Sequence, residues 1–214
     1  MEIEIKLRLP SPSAHQLLSD ALSPFHLKTH LQHNLFFDTA AGDLASVFSA
    51  LRIRFYDANA KCVLSLKSRP KLSEGVSHVE EDEEEIDPQI GQEVTANPSK
   101  MGSLLEKSRI WRRVVDEIGV ADDGGEFVCL GGFRNVRAVY RWVEGLILEL
   151  DETEYGFGTS YEIECETTEP ERVKGLLEGF LKEKGIPYEY SGASKFAVFR
   201  SGKLLPLEHH HHHH

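Results

Sequence analysis

The chain has 214 residues, and its last eight, Leu207 to His214, read as a vector scar and hexahistidine tag, leaving 1–206 as a single domain. Six of its eleven histidines belong to that tag, which argues against a histidine-built zinc enzyme. Without Glu208 the formal charge is 24 − 34 = −10, so the long-range field repels nucleic acid and anionic membrane, and any phosphate site must be a local basic pocket.

Cys62, Cys129 and Cys165 stand far apart with no CxxC spacing, which argues against a disulfide framework and suits a reducing compartment. The N-terminal MEIEIKLRLP carries charge from its second residue, and no apolar run reaches the roughly 20 residues of a membrane span. A soluble, cytoplasmic protein is expected.

In chain order, Glu2 to Leu9 alternates charged and apolar residues, the period-two mark of a strand, and Pro10 and Pro12 stop it. Ser13 offers an N-cap to a short helix carrying Leu17, Leu18, Ala21 and Leu22 on one face. Leu27 to Phe37 predicts a second strand, and Leu51–Asp57 with Lys61–Ser68 a hairpin around Asn59. Gly75 to Ile86 reads as a strand and Pro98 to Glu117 as mainly helical. Three more strands are expected over Glu126–Val143, Gly145–Glu154 and Thr159–Thr168. Pro170 opens a last helix with Val173, Leu176, Leu177, Phe180 and Leu181 on one stripe, and Gly185 ends it. Ser191 to Arg200 closes the chain without a distinctive pattern. About eight strands and three helices, without βαβ alternation, predict an antiparallel α+β protein and admit a closed β-barrel.

One rule recurs in five strands: a charged face opposite an apolar one. Glu2, Glu4, Lys6 and Arg8 oppose Ile3, Ile5, Leu7 and Leu9; Arg52 and Arg54 oppose Leu51, Ile53 and Phe55. Lys61, Ser65 and Lys67 oppose Cys62, Leu64 and Leu66; Glu149 and Asp151, then Glu162 and Glu164, repeat it with acids. An open sheet with water on its charged side explains any one of these strands. It explains less well why the charges are sorted by strand, since charges serving solubility are interspersed. If the sheet closes with its apolar side outward, the charges line an interior and need compensation. Hard divalent cations compensate carboxylates, and a phosphate chain compensates Arg and Lys. Glu2 and Glu4, about 6.6 Å apart along the strand at 3.3 Å per residue, can reach a common metal. Both needs together describe metal-assisted handling of a polyphosphate.

These residues resemble the CYTH superfamily, the triphosphate tunnel metalloenzymes, which includes CyaB-type adenylyl cyclases, thiamine triphosphatases, inorganic tripolyphosphatases and fungal RNA triphosphatases. The ExExK hallmark stands as Glu2-Ile3-Glu4-Ile5-Lys6, and the RxR element as Arg52-Ile53-Arg54, followed by Lys67. The acidic position of the next strand falls on Glu81, with Glu83 as fallback, and the later basic element on Arg134 and Arg137, of which Arg137 is favoured. The acidic strand is Glu149-Leu150-Asp151, the ExE signature is Glu162-Ile163-Glu164, and the late lysine is Lys195.

The resemblance implies an eight-stranded antiparallel tunnel with helices outside. Lys6, Arg8, Arg52, Arg54, Lys67, Arg134, Arg137 and Lys195 would hold phosphate oxygens. Glu2, Glu4, Glu81, Glu149, Asp151, Glu162 and Glu164 would hold Mg²⁺, or Mn²⁺, with Glu2, Glu4 and Lys6 the catalytic centre. One metal is expected to orient the phosphates and a second to activate water. Stand-alone plant members of this length point to inorganic tripolyphosphate as substrate. Thiamine or nucleoside triphosphatase, adenylyl cyclase-like activity and a non-catalytic polyphosphate-binding module are the alternatives. His26, His30 and His33 are expected on a partly exposed strand face, and Trp111 and Trp142 in the core.

Overall fold

The computed structural model describes residues 1–208; His209 to His214 of the tag lie outside the described residues. Among the described residues nine strands, all within one sheet, run β1 (Glu2–Leu9), β2 (His26–Thr39), β3 (Ser49–Tyr56), β4 (Lys61–Ser73), β5 (Val76–Ile86), β6 (Phe127–Arg141), β7 (Ile147–Glu154), β8 (Thr159–Glu166) and the two-residue β9 (Glu189–Tyr190). The order is β5-β4-β3-β2-β6-β7-β8-β1-β9, and a further β5–β1 pairing closes the eight long strands into an antiparallel barrel. Seven α-helices accompany it among the described residues: α1 (Pro12–Leu22), α2 (Asp43–Ser46), α3 (Pro88–Ala96), α4 (Met101–Leu104), α5 (Arg109–Arg113), α6 (Pro170–Glu183) and α7 (Lys195–Ser201). None of them is long and apolar enough to cross a membrane.

The chain divides into two compact units, and β2, β4, β5 and β6 each change unit partway along. The first unit comprises Leu31–Pro70 and Val79–Arg134, with Met1. Its core gathers the apolar faces of β3 and β4 (Leu51, Ile53, Cys62, Leu64) under α3 to α5, with Trp111 1% exposed and edge-on to Phe127. The second unit comprises Glu2–His30, Lys71–His78 and the chain from Asn135 onward. Ile5, Leu7 and Leu9 of β1 and Leu148 and Leu150 of β7 pack there with Leu18 and Leu22 of α1 and with Val173, Leu177 and Leu181 of α6.

The strands fall close to their predicted spans. The first helix starts earlier than expected: Ser11, not Ser13, accepts the N-cap hydrogen bond from Ala14 N, with Pro12 in the first turn where its missing N–H costs nothing. A helix over Pro88–Ala96 was not expected, although Asp87 caps Gln89 N and Pro88 follows it. The long helix expected over Pro98–Glu117 is broken into a 3₁₀ turn, α4, α5 and a π-turn over Val114–Ile118 that ends at Gly119. Ser108 makes the break, because its hydroxyl accepts from Trp111 N and restarts the helix as α5. The closing segment contains β9's successor α7, capped by Ser194 on Ala197 N. His26, His30 and His33 lie on β2, exposed or half-buried, and Trp142 is buried against Phe180.

Candidate active site

Alternation along a strand says which residues share a face; it does not say which face is dry. Here both are. Glu4, Lys6, Arg52, Arg54, Asp151, Glu162 and Glu164 are each 9% exposed or less, although their apolar neighbours already occupy the cores. The charged faces therefore point inward, and each unit satisfies its own charges differently.

In the second unit, register builds the cluster. Lys6 lies opposite Glu164 and Arg8 opposite Glu162 across β1–β8, while Glu149 faces Glu164 and Asp151 faces Glu162 across β7–β8. Two carboxylates directly opposed repel, so cations must come from elsewhere. Arg137 on β6 supplies a fork: Nε and Nη2 donate to Asp151 at 2.8 Å each, Nη1 to Glu149 at 3.2 Å, and Nη2 also to Glu164 at 3.0 Å. Lys195, the first residue of α7, reaches Asp151 at 2.9 Å, Glu162 at 2.6 Å and Glu164 at 2.8 Å. Lys6 donates to Glu162 at 3.1 Å and to Glu164, and lies 3.8 Å from Glu4.

Titration follows from this crowding. Burial works against the charged form of Lys6, but Glu162 and Glu164 outweigh it and hold the ammonium above the usual lysine range. Lys195 and Arg137 are likewise raised well above their ordinary values, against burial, by Asp151 and its neighbours. Burial is also opposed, and overcome, at Asp151 by Arg137 and Lys195 and at Glu164 by Lys195 and Lys6, so both stay ionised below the usual carboxylate range. Glu162 moves up, because burial and the adjacent Glu164 prevail over its lysines. Its second oxygen accepts from the buried Ser191 hydroxyl.

Five carboxylates (Glu4, Glu149, Asp151, Glu162, Glu164) gather here around three cations (Lys6, Arg137, Lys195). Oxygens of Asp151, Glu162 and Glu164 all lie within 4.8 Å of one another, as do those of Glu4, Glu149 and Glu164. Such an all-oxygen, anionic set fits a hard divalent cation. Of the expected Glu2–Glu4 pair, Glu4 enters these groups, while Glu2 is half-buried at the start of β1. Arg8 sits at the side: its Nη1 donates to the Leu205 carbonyl at 2.8 Å and lies 3.7 Å from Glu189. A small cavity opens beside it, walled by Thr153, Tyr155, Ser191, Lys195, Leu204 and Leu205.

The first unit carries the RxR pair. Arg52 Nη2 donates to Ser65 Oγ at 3.1 Å and lies 3.8 Å from Glu81, which is 3.9 Å from Lys67. Burial, reinforced by Arg54, brings the Arg52 guanidinium down to about 10. Glu83 is raised by burial and by Glu81. Arg54 donates from Nε to Asn34 Oδ1 at 2.6 Å. Glu80 is exposed and paired with Arg69, and Arg134 is exposed. Buried amides and hydroxyls escaped the sequence reading: Gln32, Asn34, Asn135, Thr153 and Ser191. For Gln32 and Asn34 a signal existed, since polar amides two residues apart share one strand face.

A domain-family comparison matches the CYTH domain over residues 1–199. The comparison with curated proteins finds no match. Among solved structures, a Bacillus halodurans protein provisionally described as an adenylate cyclase is 24% identical, with 93% of this chain and 97% of that one covered and a TM-score of 0.69. The PH1819 protein of Pyrococcus horikoshii is 20% identical over 92% and 99%, with a TM-score of 0.58. A Vibrio parahaemolyticus protein, also provisionally described as an adenylate cyclase, is 15% identical over 93% and 97%, with a TM-score of 0.56. These likenesses establish a shared fold.

Proposed function

We propose that this chain, which belongs to the CYTH domain family, is a phosphoanhydride hydrolase that uses a divalent metal to split inorganic tripolyphosphate into diphosphate and phosphate. The observation that carries this reading is the convergence of carboxylate oxygens, those of Asp151, Glu162 and Glu164 and those of Glu4, Glu149 and Glu164, each set within 4.8 Å, beside Lys6, Arg137 and Lys195. Mg²⁺ is the proposed ion, with Mn²⁺ able to replace it, and Glu4, Glu149, Asp151, Glu162 and Glu164 would hold it. Glu2 and Glu81 are assigned with them on the resemblance. When bound, the ion supplies Lewis-acid charge and acidifies a water at neutral pH.

The chain's own groups do the rest. Carboxylate oxygens now taken up by Lys6 and Lys195 would turn to the ion, and the two ammonium groups would turn to phosphate oxygens. In the present arrangement the neighbouring carboxylates raise the proton affinity of both, and phosphate oxygens would take over that role. Arg137, fixed by two bonds to Asp151, keeps that carboxylate oriented. Arg8, Lys6 and Lys195 then stabilise negative charge on the departing diphosphate. Arg52, Arg54, Lys67 and Arg134 are proposed as further phosphate contacts. The substrate is small and anionic, with neither a membrane nor a nucleic-acid partner, and the cytoplasm is the proposed compartment.

Phosphate release from tripolyphosphate, with ATP alongside, decides the matter when measured after chelation and again after Mg²⁺ is restored. Release is expected to need the metal and to favour tripolyphosphate. Glu4→Ala is expected to lower kcat at least about 10²-fold while the protein stays folded. Full activity in that variant, or activity indifferent to chelation, would sink the assignment.

A further inference from the structure

Buried guanidinium groups ordinarily find a carboxylate, as Arg137 does three times over. Arg54 does not. It is 8% exposed, and its hydrogen bonds go to neutral groups: Asn34 Oδ1 at 2.6 Å from Nε and the Tyr56 hydroxyl at 3.4 Å from Nη1. Its positive charge is therefore dry and hydrogen-bonded to no carboxylate among the described residues, although Glu83 interacts with it electrostatically, and such a charge favours an incoming anion.

Asn34 is the residue that makes this arrangement. It lies directly opposite Arg54 in the β2–β3 register and is fully buried. An amide has one acceptor oxygen and an NH₂ donor. The oxygen is taken by Arg54, and Nδ2 is buried with no hydrogen-bond partner. Arg52, two residues before Arg54 on the same strand face, likewise has a buried Nε without a partner. A bare donor inside a protein is costly, so both atoms point to a missing acceptor. Aspartate at position 34 would fit the same space and hold Arg54 more strongly, but it would cancel the charge. Asparagine holds the guanidinium by its inner N–H and leaves the outer N–H groups, and the charge, unspent.

We infer that Asn34 is a positioning residue for anion binding: its Oδ1 anchors Arg54 Nε so that the outer guanidinium N–H groups meet a phosphate oxygen, and its Nδ2 donates to the same phosphate. The ligand class is an inorganic polyphosphate anion, and the inference rests on the triphosphate reading above.

The test is calorimetric binding of tripolyphosphate to the full chain, with steady-state phosphate release, for wild type, Asn34→Asp, Asn34→Ala, Arg54→Ala and the Asn34→Ala/Arg54→Ala double variant. Asn34→Asp and Asn34→Ala are expected to weaken binding and raise KM about tenfold or more, with a smaller change in kcat. In the Arg54→Ala background the Asn34→Ala change is expected to cost clearly less than in wild type, because only the Nδ2 donor is then lost and the rest of its effect runs through Arg54. A purely structural asparagine would instead lower Tm without separating KM from kcat and would act equally in both backgrounds; that result overturns the inference. Should Asn34→Ala fail to fold, the near-isosteric Asn34→Asp decides alone, and wild-type affinity in it is equally fatal. Equal affinity in wild type and Arg54→Ala would refute phosphate binding at Arg54 itself. Weakening at Arg54 without any at Asn34 refutes only the role of Asn34.

Discussion

At the scale of single residues, the contrast between Arg137 and Arg54 is the most informative. Arg137 is spent inside the protein: four N–H···O bonds tie it to Asp151, Glu149 and Glu164, and Asp151 is wholly buried. Removing one partner of a buried pair exposes the other to the full desolvation cost, about 3–5 kcal/mol. Arg137→Met should therefore lower stability by roughly that amount in urea unfolding without metal. Added Mg²⁺ should restore more in the variant than it adds to wild type, since it replaces charge the arginine supplied. An unchanged midpoint would mean that Lys6 and Lys195 suffice. Sequence spacing favoured Arg137 over Arg134, and the two do differ sharply, one buried in the cluster and the other exposed. Nothing in the spacing revealed Arg137's threefold pairing, because that depends on β6 reaching acids on β7 and β8.

At the scale of elements, strands were legible and broken helices were not. A two-residue period survives in any strand with one apolar face, which is why β1, β3 and β8 stand where alternation places them. Helix α3 is short and presents only a narrow apolar stripe, with Val94 fully buried, so its periodicity is weak. Its capping pair Asp87-Pro88 was the available signal. The helix is held by close approach: a methyl group on Gly91 would sit 2.6 Å from Cys62 Sγ and 3.2 Å from the Phe55 ring. That sulfur is walled in, and burial pushes its thiol up to about 12. Gly91→Ala is accordingly expected to destabilise by about 1–3 kcal/mol through overpacking, despite alanine's better helix propensity. Thermal unfolding checks it, and a gain in Tm would show that α3 can shift off the sheet at no cost.

For the whole molecule, the formal charge of −11 and the buried cations pull in opposite directions. The net charge repels anions at long range; on the proposed reading the buried cations, together with a bound divalent ion, would offset this locally for a compact phosphate chain and not for a polymer. If tripolyphosphate binds the folded chain, mass action stabilises it by about 2.7 kcal/mol at 100 times Kd. For a chain of this size that corresponds to a Tm rise of roughly 5–10 °C. An equal concentration of sulfate should give little, and parity between the two would leave only a general anion effect. The charged faces themselves were readable from β1, β3, β7 and β8; their enclosure was legible only through the resemblance, because closure is a property of strand order that alternation does not carry. That closure has a further consequence, for the chain while it is being made. β1 pairs with β5, β8 and β9, and its Lys6 N donates to the Gly75 carbonyl; none of these partners precedes residue 75. Of these strands the earliest to leave the ribosome must therefore wait, extended and unpaired, until β5 has followed it, and one of its edges stays open until β8 ends at Glu166. A waiting strand is an open edge onto which another copy could add, and charged side chains blunt such edges. The row Glu2, Glu4, Lys6 and Arg8 thus guards the newborn chain against self-association well before it has anything to bind.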